Sequence, residues 1–170
     1  DAVYLGGPEF SLRKSAGNFS PEQMRDAVSM ARQHGVKSYI TCNTFLRNSE
    51  AFALEKYLYF LGELSPDGLL VADPGIFAAA RRFSPHIPIH ISTQANTTSI
   101  AGARFWAELG AKRVVAAREL SLEEIRAISC NCPIEIEAFV HGAMCVSISG
   151  RCLLSNFMAG RDANRGHCAH

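Results

Sequence analysis

Short runs of β-branched and apolar residues alternate with longer amphipathic segments along the whole of this 170-residue chain. The runs have the length and composition of strands, and the segments between them have the periodicity of helices. A strand that is followed each time by a helix indicates parallel pairing, because parallel neighbours need a crossover connection. The predicted strands are 2–5, 38–42, 68–72, 87–92, 113–116 and 134–139, and the predicted helices are 21–34, 50–64, 74–83, 99–109 and 121–129.

The number and spacing of these units predict the fold class. Strands such as GLLVA at 68–72 are apolar throughout, as expected where both faces of a sheet are covered. Six strand–helix units at a spacing of roughly 20 to 35 residues suit a TIM-type barrel, which needs eight units and about 250 residues. We therefore predict an α/β fold, a TIM-type (β/α) barrel that is incomplete in this chain. An open doubly wound sheet is the alternative, and the lack of a GxGxxG turn after any strand weakens it.

The predicted organisation is a single domain over 1–170. Strand–helix units would occupy 1–142, and a cysteine-rich, cluster-binding segment would occupy 143–170. The sequence begins with Asp1 inside an apparent strand and supplies too few units to close a barrel. We therefore expect a fragment of a larger barrel.

The amino-acid composition indicates which cellular compartment and which kinds of binding partner are expected. A hydrophobic content of 48% with 19% charged residues is typical of a globular core. Neither a secretory signal nor an apolar stretch of about 20 residues is present, which predicts a protein without a membrane anchor. Six cysteines without such a signal favour the reducing cytoplasm. A net charge of +1 does not predict strong nonspecific binding of nucleic acid, although the last twenty residues are more basic.

Polar side chains follow the predicted strands where a barrel would carry its active site. Amide side chains suit the binding of a planar polar substrate, although turn chemistry explains them equally well. Charged side chains and histidine suit proton transfer or anchoring. The substrate-binding candidates are Asn43, Gln94 and Asn96, and the catalytic candidates are Arg118, Glu137 and His141.

All three catalytic candidates have a structural interpretation as well. Glu135 and Glu137 share one strand face by the two-residue period, and if Glu137 points into the barrel it is a buried carboxylate that needs a partner. Arg118 at the neighbouring strand end is the expected partner, either as a structural ion pair or as part of a catalytic pair. A lone histidine such as His141 is more often hydrogen-bonded structure than a ligand.

Three cysteines, Cys145, Cys152 and Cys168, lie within 24 residues in a glycine-containing segment. Thiolates grouped in this way typically hold an iron–sulfur cluster or zinc. A single nucleophilic cysteine would not explain three. Because such clusters normally need four ligands, the fourth is expected outside this sequence. Cys130 and Cys132 belong to the opposite face of the barrel, and Cys42 is expected to be buried.

The segment from Glu137 to Ser155 resembles the collagenase-like peptidase family U32. It fits the pattern E-x-F-x2-G-[SA]-[LIVM]-C-x4-G-x-C-x-[LIVM]-S at every fixed position, and N-R-G-x-C follows at 164–168. The resemblance extends over the chain through DAVYLGG, VADPG, ISTQAN and RELSLEEI. It implies a barrel-like catalytic domain and a four-iron four-sulfur cluster with Cys145, Cys152 and Cys168 as three of its ligands.

The resemblance also implies several functions. Several members of this family look like oxygen-independent hydroxylases of RNA. The sequence of this chain is most similar to the branch of the family that converts a tRNA wobble uridine to 5-hydroxyuridine. Prephenate is the implied oxygen donor, and tRNA or another RNA is the implied partner. A collagenase-like, possibly metal-dependent peptidase is the alternative, although no HExxH, GxSxG or paired-aspartate motif is present. A non-catalytic RNA-binding accessory subunit is the second alternative.

Overall fold

The structure is a computed structural model that describes residues 1–12, 17–142, 145, 147–165 and 167–168. Its centre is one sheet of six parallel strands, each hydrogen-bonded to the next one along the chain. Consecutive pairing with one helix between neighbours is the arrangement of a TIM-type barrel, and the sheet curls without closing. The strands are β1 (Ala2–Gly6), β2 (Lys37–Cys42), β3 (Gly68–Val71), β4 (Ile89–Ile91), β5 (Arg113–Val115) and β6 (Glu135–Glu137).

Helices connect the strands, and four of them begin after a Ser or Asp whose side chain caps the first turn. At Ser20 the capping box with Gln23 forms as its sequence indicates. Asp73 accepts hydrogen bonds from the N–H groups of Gly75 at 2.7 Å and Ile76 at 3.0 Å, so it is a helix cap. The helices are α1 (Pro21–Gln33), α2 (Ala51–Leu64), α3 (Pro74–Phe83), α4 (Ile100–Glu108), α5 (Leu122–Asn131) and α6 (Leu154–Ala159).

These elements confirm the predicted fold class, an incomplete α/β barrel. Every predicted strand and helix is present with ends shifted by only a few residues. The doubly wound alternative is wrong, because such a sheet reverses its strand order and this one does not. The short helix α6 was not predicted, since its six residues are too few to show a periodic pattern.

The two faces of the sheet differ in chemistry. Side chains on the outer face, including Ile40, Leu69 and Ile91, are 0–1% exposed and pack against the helices. The inner face instead carries aromatic and ionisable side chains, of which Arg113 and Glu137 are examples. Among the described residues, no helix is both long and apolar enough to cross a membrane. The core therefore lies between the sheet and its helices, and the inner face is left for a polar site.

Candidate functional site

A cavity of about 480 Å³ opens on the inner face at the carboxyl ends of the strands. This is the position at which barrels of this type bind substrates, and its size is in the range of small-molecule sites. Apolar side chains form much of its wall, with polar groups from five of the strand ends and from the loop after β1. The lining residues are Tyr4, Leu5, Gly6, Ser11, Leu12, Asn18, Thr41, Asn43, Leu70, Ser92, Thr93, Gln94, Val115, Arg118, Glu137 and Phe139.

Glu137, at one side of the cavity, is held by two partners. Its Oε2 lies 3.0 Å from Nη1 of Arg113, and the hydroxyl of Tyr4 lies 2.7 Å from both carboxylate oxygens. Tyr4 is on β1 and Glu137 on β6, so the curl of the sheet brings the inner side chains of its first and last strands into contact. Arg113 also bonds Glu135, at 2.7 Å. The charge of Glu137 is therefore compensated within the protein.

The predicted pairing of Glu137 with Arg118 is wrong. In the parallel pairing of β5 with β6, Val115 is opposite Glu137. Arg113 lies two residues before Val115 on the same face of β5, so the side chains of Arg113 and Glu137 both point inward. Arg118 lies three residues beyond the end of β5 and belongs to the loop above the cavity. The pairing followed the order of polar residues along the chain, whereas the register of the strands decides which side chains meet.

Arg118 instead makes no ion pair among the described residues, although its charge acts on the neighbouring carboxylate of Glu119 and helps to lower its pKa. Its Nη1 is buried and has no hydrogen-bond partner among the described residues, and its guanidinium lies over the ring of Phe139, with 5.3 Å from Cζ to the ring centroid. A buried charged donor without an acceptor costs more than an ordinary unsatisfied group. An anionic ligand would remove that cost, and Arg is well suited to carboxylate and phosphate.

Asn43 and Gln94 line the cavity as predicted, whereas Asn96 and His141 do not. Asn43 Oδ1 accepts from the N–H of Leu12 at 3.2 Å, which fixes the orientation of its amide. Asn96 has a left-handed backbone and accepts from the hydroxyl of Ser149 at 2.7 Å. His141 is exposed. The structure thus brings Asn43, Gln94, Arg118 and Glu137 together around one cavity.

Sequence reasoning missed a buried histidine below this cavity. His90 on β4 packs edge-on against the ring of Tyr39, with centroids 4.7 Å apart, and its Nδ1 is buried without a partner among the described residues. Burial, and then the nearby cation of Arg113, lower the pKa of His90 to about 4. The inward alternation of β4 was the available signal, since it places His90 and Ser92 on the same face.

We predict that His90 makes the protein acid-sensitive. An unfolded histidine has a pKa of about 6.5, so between about pH 6.5 and about pH 4 the unfolded state binds a proton that the folded state does not. Stability is therefore complete above this window and is lost as the pH falls through it. On going from about pH 7.5 to about pH 5, His90→Phe should lose about 2 kcal/mol less unfolding free energy than the wild type. Urea unfolding at both pH values measures this, and equal losses would contradict it.

The three candidate metal ligands are placed differently from one another. Cys145 Sγ accepts the N–H of Ser147 at 3.4 Å. The hydroxyl of Ser147, followed by the N–H groups of Ser155 and Leu154, holds the pKa of the Cys152 thiol below its ordinary value. Cys145 and Cys152 therefore share Ser147 as a neighbour. Cys168 is exposed.

Within the described part of the chain, no three His, Cys, Asp or Glu side chains are grouped closely enough to hold a metal ion. Residues 143, 144, 146, 166, 169 and 170, which belong to the predicted cysteine-rich segment, lie outside the described residues. The donor chemistry at Cys145 and Cys152 fits a thiolate-bound group, because N–H and hydroxyl donors stabilise thiolates. The convergence of Cys168 with these two stays a prediction.

The remaining cysteines follow their expected roles. Cys42 is 0% exposed in the core, and burial raises its pKa to about 12. Cys132 Sγ lies 3.4 Å from the carbonyl oxygen of Ile100, and Cys130 is exposed in the last turn of α5. Both lie at the amino-terminal side of the strands, away from the cavity. They provide controls for any experiment on the other three.

Sequence comparison relates the whole chain to one family. A model of Peptidase family U32 matches residues 1–170. The chain is 46% identical over 168 residues to the tRNA hydroxylation protein P1 of Bacillus subtilis, which covers 99% of this chain and 40% of that protein. It is 39% identical over 169 residues to a 23S rRNA 5-hydroxycytidine synthase of Escherichia coli, covering 99% of this chain and 25% of that protein. The chain thus spans less than half the length of these relatives.

Structural comparison supports the architecture. The solved structure of a U32 peptidase superposes with a TM-score of 0.67 at 20% sequence identity, covering 81% of this chain and 60% of that one. At this level of identity the likeness concerns the fold alone. It agrees with the incomplete barrel described above.

Proposed function

The chain belongs to peptidase family U32, and from this membership we propose that the protein at its full natural length is an oxygen-independent hydroxylase of RNA. The proposed substrate is tRNA, and the proposed reaction converts a wobble uridine to 5-hydroxyuridine. One observation carries the proposal: the identity to a relative named for tRNA hydroxylation is 46% and extends over 99% of this chain, including every loop that lines the cavity.

We propose that Cys145, Cys152 and Cys168 hold a four-iron four-sulfur cluster together with a fourth ligand outside this sequence. What supports this is the donor chemistry: thiolate-stabilising groups surround Cys152, and Cys145 accepts a backbone N–H. Such a cluster would supply electron transfer or Lewis-acid chemistry beside the barrel mouth. Zinc is the alternative occupant of the same thiols.

Arg118 has the properties of a site for the anionic oxygen donor. Of the two charged side chains that line the cavity, Glu137 is paired with Arg113, whereas Nη1 of Arg118 has no hydrogen-bond partner among the described residues. Prephenate carries one carboxylate on a cyclohexadiene ring and a second on its pyruvyl side chain, and the cavity offers the unpartnered Nη1 of Arg118 among apolar walls that include Leu70 and Phe139. We propose that Arg118 binds a carboxylate of prephenate and that Asn43 and Gln94 orient the reacting groups.

The rim of the cavity offers a surface for RNA. Arg151 donates from Nε to the carbonyl oxygen of Gln94 at 3.2 Å, and its guanidinium lies 5.4 Å from the ring centroid of Phe45. An arginine held in place beside an exposed rim suits phosphate contact, and an aromatic ring suits base stacking. These contacts would position the nucleotide, and the choice of base would be made inside the cavity.

Peptide hydrolysis has no comparable support in the described residues. The cavity contains no cysteine, and its one carboxylate is compensated by Arg113 and Tyr4. Its hydroxyl groups are engaged elsewhere: Thr93 donates to Ala116, for example, at 3.2 Å. A nucleophile with an adjacent base, which hydrolysis of this kind requires, is not assembled among them.

Nucleoside mass spectrometry of RNA from a strain that lacks the gene tests the proposed function. We expect 5-hydroxyuridine and its derivatives in tRNA to fall to background and to return when the wild-type gene is restored. Ribosomal RNA is digested and measured separately, so a loss of hydroxycytidine there would identify rRNA as the substrate instead. Unchanged hydroxylated nucleosides in both RNA classes would contradict the proposal.

A further inference from the structure

One buried residue, Ser149, fixes the cysteine-bearing segment to the mouth of the barrel. It lies between Cys145 and Cys152 and is 0% exposed. Its N–H donates to Oε1 of Glu119 at 2.5 Å, and its hydroxyl lies 2.7 Å from Oδ1 of Asn96 and 3.1 Å from Oε2 of Glu119. We refer to Asn96, Glu119 and Ser149 as the latch. Together they join the loops after β4 and β5 to the segment.

The latch holds Ser149 in a backbone conformation that serine rarely adopts. Its φ of 47° and ψ of 27° lie in the left-handed region, which costs a residue with a side chain on the order of 1 kcal/mol. Such a conformation persists only where the surroundings impose it. The surroundings available here are the bond from the N–H of Ser149 to Glu119 and the hydroxyl proton shared between Asn96 and Glu119, and a serine free in solvent would relax.

Glu119 is the central acceptor of the latch. Burial acts to raise its pKa, but the N–H and hydroxyl of Ser149 outweigh this and hold the pKa of Glu119 below its ordinary value. The acceptor is therefore a carboxylate at neutral pH, and hydrogen bonds to charged acceptors are about twice as strong as neutral ones. Loss of this carboxylate would leave the N–H of Ser149 without its partner and its hydroxyl with Asn96 alone.

A second anchor lies on the other side of Cys152. The side chain of Asn164 bonds the backbone of Cys152 in both directions, accepting its N–H at 2.9 Å and donating to its carbonyl oxygen at 2.8 Å. Cys152 thus sits between the latch, three residues before it, and a reciprocal amide clamp. Neither anchor lines the cavity, so both can affect the reaction only by fixing the position of the cysteine-bearing segment.

We propose that the latch positions the cysteine segment over the cavity, with Glu119 and Asn96 acting as positioning residues for Cys145 and Cys152. The role of the two cysteines as cluster ligands rests on the proposed function, whereas the contacts of the latch do not depend on it. It assigns Glu119 and Asn96 a role away from the substrate, where the sequence predicted that Asn96 binds it.

Glu119→Ala and Glu119→Gln in the protein at its full natural length test the proposal, with Glu123→Ala as the matched control. Glu123 is exposed in the first turn of α5 and is not part of the latch. In metal-free protein, Glu119→Ala should speed maleimide labelling of the half-buried Cys152 and amide exchange over 147–165 by about tenfold, as expected when a charge-assisted hydrogen bond is lost. Glu119→Gln keeps an acceptor for the N–H of Ser149 and should recover most of the protection.

Iron content and the visible absorption spectrum provide the second readout. Anaerobically purified Glu119→Ala should hold less than half the iron of the wild type, whereas Glu123→Ala should equal it. If Glu119→Ala does not fold, Ser149→Gly replaces it, because glycine tolerates the left-handed backbone and the change removes the hydroxyl of the latch with its Cβ while keeping the N–H. Ser149→Gly should then show faster labelling and a smaller loss of iron.

The outcomes separate the two proposals. Equal labelling and exchange in the wild type, Glu119→Ala and Glu123→Ala would overturn the latch. Equal iron content would overturn its positioning role. If the wild-type protein holds no iron but labelling is still faster in Glu119→Ala, the proposed cofactor is contradicted and the latch is supported.

Discussion

Replacing Cys152 by alanine in the protein at its full natural length is expected to remove essentially all bound iron and acid-labile sulfide. Cys152 is the thiol with the best support as a ligand, since Ser147 and two backbone N–H groups favour its thiolate. Because such a cluster is held by its four thiolates, loss of one leaves an iron atom without its protein ligand. RNA hydroxylation should fall below detection in the same preparation.

Cys130→Ala is the matched control for this experiment. Cys130 is exposed, whereas Cys152 is half-buried, and Cys130 lies in α5 on the opposite side of the barrel. Its replacement should leave iron, sulfide and the absorption spectrum unchanged. Equal losses in both variants would show that the cysteines have been divided wrongly, and stoichiometric zinc without iron in the wild type would favour the zinc alternative.

Replacing Arg118 by methionine is expected to lower kcat/KM for the oxygen donor by at least about 100-fold. Truncating one partner of a buried charge pair commonly costs 2 to 5 kcal/mol, and about 2.7 kcal/mol corresponds to this factor. Methionine keeps the contact with the ring of Phe139, so the change removes the charge with little loss of packing. The measurement is the initial rate of nucleoside oxygenation as the prephenate concentration is varied.

The two KM values distinguish a loss of prephenate binding from a general loss of enzyme structure. The KM for prephenate should rise, whereas the KM for tRNA should stay near its wild-type value. Arg126→Met removes an exposed arginine from α5 and serves as the control, with no change expected in either constant. An unchanged KM for prephenate in Arg118→Met would contradict the assignment of Arg118 as its carboxylate site.

The fold was predictable because its signals are local. The capping box at Ser20 and the cap at Asp73 each need only a few neighbouring residues, and both form as their sequences indicate. Strand composition and consecutive helices then leave few topologies to choose from. The cavity was predictable for a related reason, since polar residues at the ends of parallel strands meet at one edge. Asn43, Gln94, Arg118 and Glu137 all line it.

The contacts that were not predicted join residues far apart in irregular segments. Tyr4 and Glu137 are 133 positions apart in the sequence and are in contact because the sheet curls. The periodic pattern of the sequence does not predict the amount of this curl. Ser149 meets Asn96 across 53 positions through a left-handed turn, and serine there carries no sequence signal. The sequence therefore indicated which residues gather at the barrel mouth, and only the three-dimensional register assigned their partners.

The account is tested most directly by the oxygenation of RNA by purified protein. The protein at its full natural length is purified without oxygen and incubated with prephenate and tRNA from the strain that lacks the gene. Mass spectrometry of the digested nucleosides should detect a wobble uridine that has gained one oxygen atom, only when iron-loaded protein and prephenate are both present. Iron-loaded protein that leaves every nucleoside of this tRNA unchanged would contradict the account.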